Sequence, residues 1–179
     1  MKDLKNLQNL DVHQLAARQE NLEGQTNLGV FTRLMVDALP VSASQVVDWR
    51  VSCFQRTPVG ERQAQDWLRL GANAVATQTC QSCLEPVDVQ LAVDRVFRFV
   101  ASEEEALRQD EEAEEDVLVG AHDFNLFDLI EDELILALPF VARHGGCIDQ
   151  YAGPDESEEV SEPSRPNPFA ALQALKTKH

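Results

Sequence analysis

Apolar residues recur along this chain with two different periods, and the change from one to the other marks its organisation. Residues 10–18 and 28–39 carry helical spacing. In the second segment Phe31, Leu34, Met35 and Ala38 share one side, and Pro40 ends the run. Asp11 is placed to cap the first of these helices, and residues 24–27 read as a turn. From Val46 the period becomes two: Val47, Trp49, Val51 and Cys53 alternate with Asp48, Arg50, Ser52 and Phe54. The same alternation runs through residues 67–79 (Leu68, Leu70, Ala72, Ala74, Ala76) and 87–100 (Val87, Val89, Leu91, Val93), with turn signals at Gly60 and Pro86. Three strands joined by short connections predict an antiparallel sheet, because parallel neighbours need crossovers of a dozen or more residues.

Beyond the strands the grammar changes three more times. Residues 102–116 form a low-complexity acidic stretch, expected as a solvated, flexible insert because like charges repel. A helix capped by Asp123 or Asn125 then runs to Leu138, with Phe127, Ile130, Leu134 and Leu138 on an apolar stripe, Asp128, Glu131 and Asp132 facing water, and Pro139 as the stop. Residues 153–166, rich in acids, serine and proline, read as a linker. Residues 167–179 read as a short tethered helix with Asn167 as cap, Pro168 at the first helical position and Phe169, Leu172 and Leu175 along one side, a pattern suited to docking on a partner. The expectation is α+β: a single domain over residues 1–152 built on an antiparallel sheet with flanking helices and an acidic insert, followed by the linker and the tethered C-terminal helix.

Charge sharpens this map. The 179 residues carry a formal charge of −16, yet residues 1–100 hold ten basic against eleven acidic side chains, and residues 101–179 hold five against twenty. Two runs, 103–116 and 155–162, contribute −8 and −5 of the total. Binding nucleic acid by bulk attraction is excluded, since that mode needs a basic surface that displaces counterions from phosphate. Local RNA contact by the near-neutral body is not. The longest apolar run, 134–142, is broken by Pro139 and is about half of the ~20 residues a spanning helix requires. With no apolar block at the N-terminus, the reading is a cytoplasmic protein that does not engage membranes.

The strongest chemical signal is Cys80-Gln81-Ser82-Cys83, at the end of the second strand. Two thiolates three positions apart reach one tetrahedral metal at ~2.3 Å through a tight turn. His144 and Cys147 repeat the spacing beside two glycines, so the four residues together would form a Cys3His zinc site. A redox pair is the rival for the cysteines, although no helix follows them to depress a thiol pKa. Cys53, on an alternating strand, reads as core. Asp128, Glu131, Asp132 and Glu133 invite a two-metal hydrolase reading, but most lie opposite the apolar stripe and fit a solvated helix face better. His13, His122 and His179 read as surface residues. For RNA, the candidates are Arg50, Arg56, Arg95 and Arg98, interleaved with Trp49, Phe54, Trp67, Phe97 and Phe99, since arginine pairs with phosphate and aromatic rings stack on bases.

The helix ending EDELILALP, the CQSC before it, the histidine and cysteine after it and the terminal NPFAALQALK together resemble the YceD family of large ribosomal RNA subunit accumulation proteins. The resemblance implies a role in synthesis, processing or stability of large-subunit ribosomal RNA, and it supplies no catalytic residue. The expected function is therefore a non-enzymatic factor in large-subunit biogenesis. It would act by contacting the ribosomal RNA or its precursor, or by shielding a basic ribosomal protein with the polyanionic half of the chain. The alternative is a thiol- or metal-dependent enzyme using the cysteine pair or the acidic helix.

Overall fold

The period-two segments become the three long strands of a meander in the computed structural model, which describes residues 7–39, 44–57, 63–110, 113, 115–120 and 122–147. β2 (Val46–Arg56), β3 (Gln65–Thr79) and β4 (Pro86–Val100) pair antiparallel, with Val51 opposite Leu70 and Leu68 opposite Phe97. Two shorter strands complete the sheet among the described residues. β1 (Asn21–Asn27) pairs antiparallel with β2, and β5 (Asp116–Val119) pairs parallel with β4, so the order is β1-β2-β3-β4-β5. The α+β expectation holds.

One sheet face carries the core. Val47, Trp49, Val51, Leu68, Leu70, Ala72, Leu91 and Phe97 bury against α1 (Val12–Ala17), the 28–36 segment and α3 (Leu126–Leu136). Asp11 caps α1 as expected, its carboxylate accepting the Gln14 N–H at 2.8 Å. Asn125 caps α3, accepting from the N–H groups of Phe127 and Asp128. Reciprocal backbone hydrogen bonds of 2.9 Å between Leu10 and Phe124 lock the entrances of the two helices together.

Three local readings are corrected. The residues expected as a turn, 24–27, belong to β1, where Gly24 lies opposite Trp49. The glycine makes room for an indole that is 6% exposed and donates its N–H to Thr26 Oγ1 at 3.0 Å. A Cβ at position 24 would stand 2.7 Å from the Trp49 ring. Gly24→Ala is therefore expected to lower unfolding free energy by about 1–3 kcal/mol in denaturant titrations, through overpacking.

The helix expected over residues 28–39 is instead two 3₁₀ turns, Leu28–Val30 and Leu34–Val36. Local competition explains it. Glu131 on α3 takes the N–H groups of Arg33 and Leu34 at 2.6 and 3.2 Å, so these donors do not serve a continuous helical ladder. The acidic stretch is likewise more ordered than like-charge repulsion suggests. Residues Glu103–Asp110 form α2, with Glu103, Glu104 and Glu105 in the first turn, where negative charge complements the helix dipole, and Ser102 Oγ accepting the Glu105 N–H.

Contacts divide the chain into a unit spanning Met1–Gly145 and another spanning Gly146–His179, of which only Gly146 and Cys147 are described. The linker 153–166 and the docking residues Asn167, Pro168, Phe169, Leu172 and Leu175 lie outside the described residues. No helix among those described is long and apolar enough to cross a membrane.

Candidate metal centre

The sequence between β3 and β4 is too short for anything but a tight reversal, and that reversal positions the cysteine pair. The Cys80 N–H donates to Glu85 O and the Leu84 N–H donates to Cys80 O, each at 2.9 Å. Leu84 closes the turn with φ at 64°, a left-handed conformation that costs a side-chain-bearing residue about 1–2 kcal/mol. Its side chain is 74% exposed, so little packing is at stake. Leu84→Gly is expected to raise stability by about 0.5–1 kcal/mol, the relief exceeding glycine's extra entropy in the unfolded chain. Equilibrium unfolding checks the sign.

A second segment meets this turn. The Gln81 N–H donates to Ala142 O at 2.9 Å, which brings His144 alongside, and the 3₁₀ turn Gly145–Cys147 follows directly. The donor atoms of Cys80, Cys83 and His144 lie within 4.8 Å of one another. His144 Nδ1 is 3.4 Å from Cys83 Sγ, while its Nε2 is 3.0 Å from the Pro86 carbonyl oxygen. A carbonyl only accepts, so Nε2 carries the proton and Nδ1 presents its lone pair to the cluster. This is the outer-shell contact that orients a metal-ligating imidazole.

Electrostatics favours the same reading. Backbone N–H groups hold the Cys80 thiol at about 5, far below its ordinary range; the Cys83 N–H is the largest cause, followed after the opposing cost of burial by those of His144 and Ser82. This downward shift favours the thiolate, the form that ligates a metal. Cys80 is also fully buried, which suits a ligand and not a nucleophile that must reach a substrate disulfide. Two sulfurs and one imidazole within this radius fit a borderline-soft cation, zinc above all. Cys53, by contrast, is raised to about 12 by burial and sits inert in the core, as its strand position indicates.

The candidate RNA-contacting arginines divide between the two sheet faces. By register, Arg50, Arg56 and Arg98 lie on the sheet face opposite the core, whereas Arg95 stands opposite core-facing Leu70. The Arg56 guanidinium covers Phe54 at 4.9 Å and Trp67 at 5.1 Å, and these two rings stack on each other. Arg95 pairs with Asp116. Arg98 is buried, its Nε 2.7 Å from Glu115 and its Nη1 bonded to Gln109. Arg98 is thus the internal anchor that ties α2 and the approach to β5 onto β4.

The acidic helix is engaged in the same way. Arg33 Nε meets Glu131 at 2.9 Å and its Nη1 meets Asp132 at 2.5 Å. Glu131 and Glu133 are buried, which corrects the solvated-face reading of Glu131. Burial is the main cause that raises the Glu133 carboxyl above its usual range.

Comparison with known proteins places these features. The sequence profile described as large ribosomal RNA subunit accumulation protein YceD matches residues 68–176, a span that contains all four candidate ligands. The large ribosomal RNA subunit accumulation protein YceD of Haemophilus influenzae is 35% identical over 107 residues, covering 55% of this chain and 59% of that relative. No solved structure matches. On the extent of the profile match, the chain belongs to the YceD family.

Proposed function

We propose that this chain supports accumulation of large-subunit ribosomal RNA without catalysing a reaction, by holding a basic ribosomal protein through its acidic half. The first part of this reading follows the relative's name. The second rests on one observation, the partition of charge: residues 101–179 carry twenty acids against five bases. An acidic excess of this size attracts lysine- and arginine-rich partners and repels phosphate. The pairing of Arg95 and Arg98 with acids, and of Arg56 with aromatic rings, supports the same choice over direct grip on the RNA backbone.

In this reading Cys80, Cys83, His144 and Cys147 would hold one zinc ion. When bound it would supply a structural clamp between the β3–β4 turn and the chain after α3. The residues themselves fix the turn, bury one thiolate and orient the imidazole.

Affinity capture of the full chain from cells, with and without nuclease treatment, tests the proposal. Ribosomal proteins are expected in the captured material after nuclease, eluting with rising salt. Loss of every partner on nuclease treatment would overturn protein shielding and assign the contact to RNA.

A further inference from the structure

Away from the cysteine turns, a second constellation forms where α1, the start of β3 and the segment before α3 meet. The Leu10–Phe124 bridge brings together two histidines that are more than a hundred residues apart in sequence. The rings of His13 and His122 stand 6.1 Å apart, edge to face. Each has its own carboxylate. His13 Nδ1 is 2.7 Å from Asp66 Oδ2, and His122 Nδ1 is 3.2 Å from Asp11 Oδ2. An ionised carboxylate only accepts, so in each neutral imidazole Nδ1 carries the proton and Nε2 is left with its lone pair. A carboxylate behind an imidazole fixes its tautomer and orients the ring as a metal ligand. Here that arrangement occurs twice, on neighbouring rings whose side chains are 56% and 74% exposed.

Both imidazoles line a cavity of about 720 Å³ together with Asp66, Glu105 and Asp123. Among the described residues lining it there is no lysine or arginine. The sign of the ligand follows. A phosphate would face three carboxylates and no fixed positive charge, whereas a divalent cation would gain from all three. Paired imidazoles choose among cations in turn, favouring zinc, nickel and copper over magnesium or calcium.

We propose that His13 and His122 form a second metal site, separate from the cysteine centre, for a divalent cation of the zinc and nickel class. Asp66 and Asp11 are its positioning residues. The site involves no residue of the cysteine cluster and does not depend on the function proposed above.

The test uses the full chain supplied with one equivalent of Zn²⁺ and then titrated with Ni²⁺. Calorimetry reads affinity, and paramagnetic broadening of assigned imidazole resonances reads location. One equivalent of nickel is expected to broaden His13 and His122 together. His13→Asn and His122→Asn should each weaken binding at least tenfold. Asp66→Asn, which keeps both ligands, should weaken it about 10–100-fold. Broadening centred on His144, or nickel affinity unchanged in both histidine variants, would overturn the proposal. The parent protein alone decides the location, so the test survives a variant that folds poorly.

Discussion

Cys80→Ser combined with Cys83→Ser is expected to abolish zinc uptake at the cysteine centre and to lower the thermal midpoint by about 10 °C in the presence of micromolar metal. The size follows from linkage. A ligand present at about a thousand times its dissociation constant, bound only by the folded chain, moves the midpoint of a domain of this length by roughly that amount. Chelation of the parent protein should reproduce the shift, and the serine variant should respond to chelator far less. Metal analysis alongside calorimetry checks both. A variant that keeps its midpoint but loses a thiol–disulfide exchange activity would reverse the assignment and make the pair catalytic. The burial of Cys80 and the convergence of Cys83 and His144 on it argue for the first outcome.

The second large effect is expected at Glu131, which is 3% exposed. Its carboxylate accepts from the N–H groups of Arg33 and Leu34 and from Arg33 Nε, so one side chain fixes the 3₁₀ segment to α3. Glu131→Ala leaves two backbone donors without their acceptor and empties a packed position. A loss of about 3 kcal/mol in urea unfolding is expected. Asp132→Ala is the control: it removes a neighbouring ion pair at a half-exposed position and should cost well under 1 kcal/mol.

These two sites differ in how far the sequence discloses them. The cysteine centre was legible because two three-residue spacings, each in turn-prone sequence, leave the donors little freedom once the chain brings them together. The strands β2, β3 and β4 were legible because period two has no competing reading over so many residues. β1 was not, since NLEGQTN holds a single large apolar residue. Its pairing depends on Gly24 accommodating Trp49, a fact of packing and not of pattern. β5 hides behind an acidic run whose charge dominates any local reading, and the run's own helix depends on Ser102, the dipole and buried Arg98. The role of Glu131 was invisible because its partners lie 97 and 98 positions away. The His13–His122 pairing was hidden for the same reason: each histidine alone has no distinguishing neighbours, and the bridge that unites them is made by backbone atoms.

The meander and the Leu10–Phe124 bridge also set an order of events in time. Hairpins β2–β3 and β3–β4 close short loops, so their contacts form early and shape the barrier to folding. The bridge and the Arg33–Glu131 pair close loops of about a hundred residues, at a larger loop-closure entropy, and are expected to form later. Loss of Glu131 should therefore leave the refolding rate nearly unchanged and accelerate unfolding, so that the two helices act as a latch on the lifetime of an already assembled sheet.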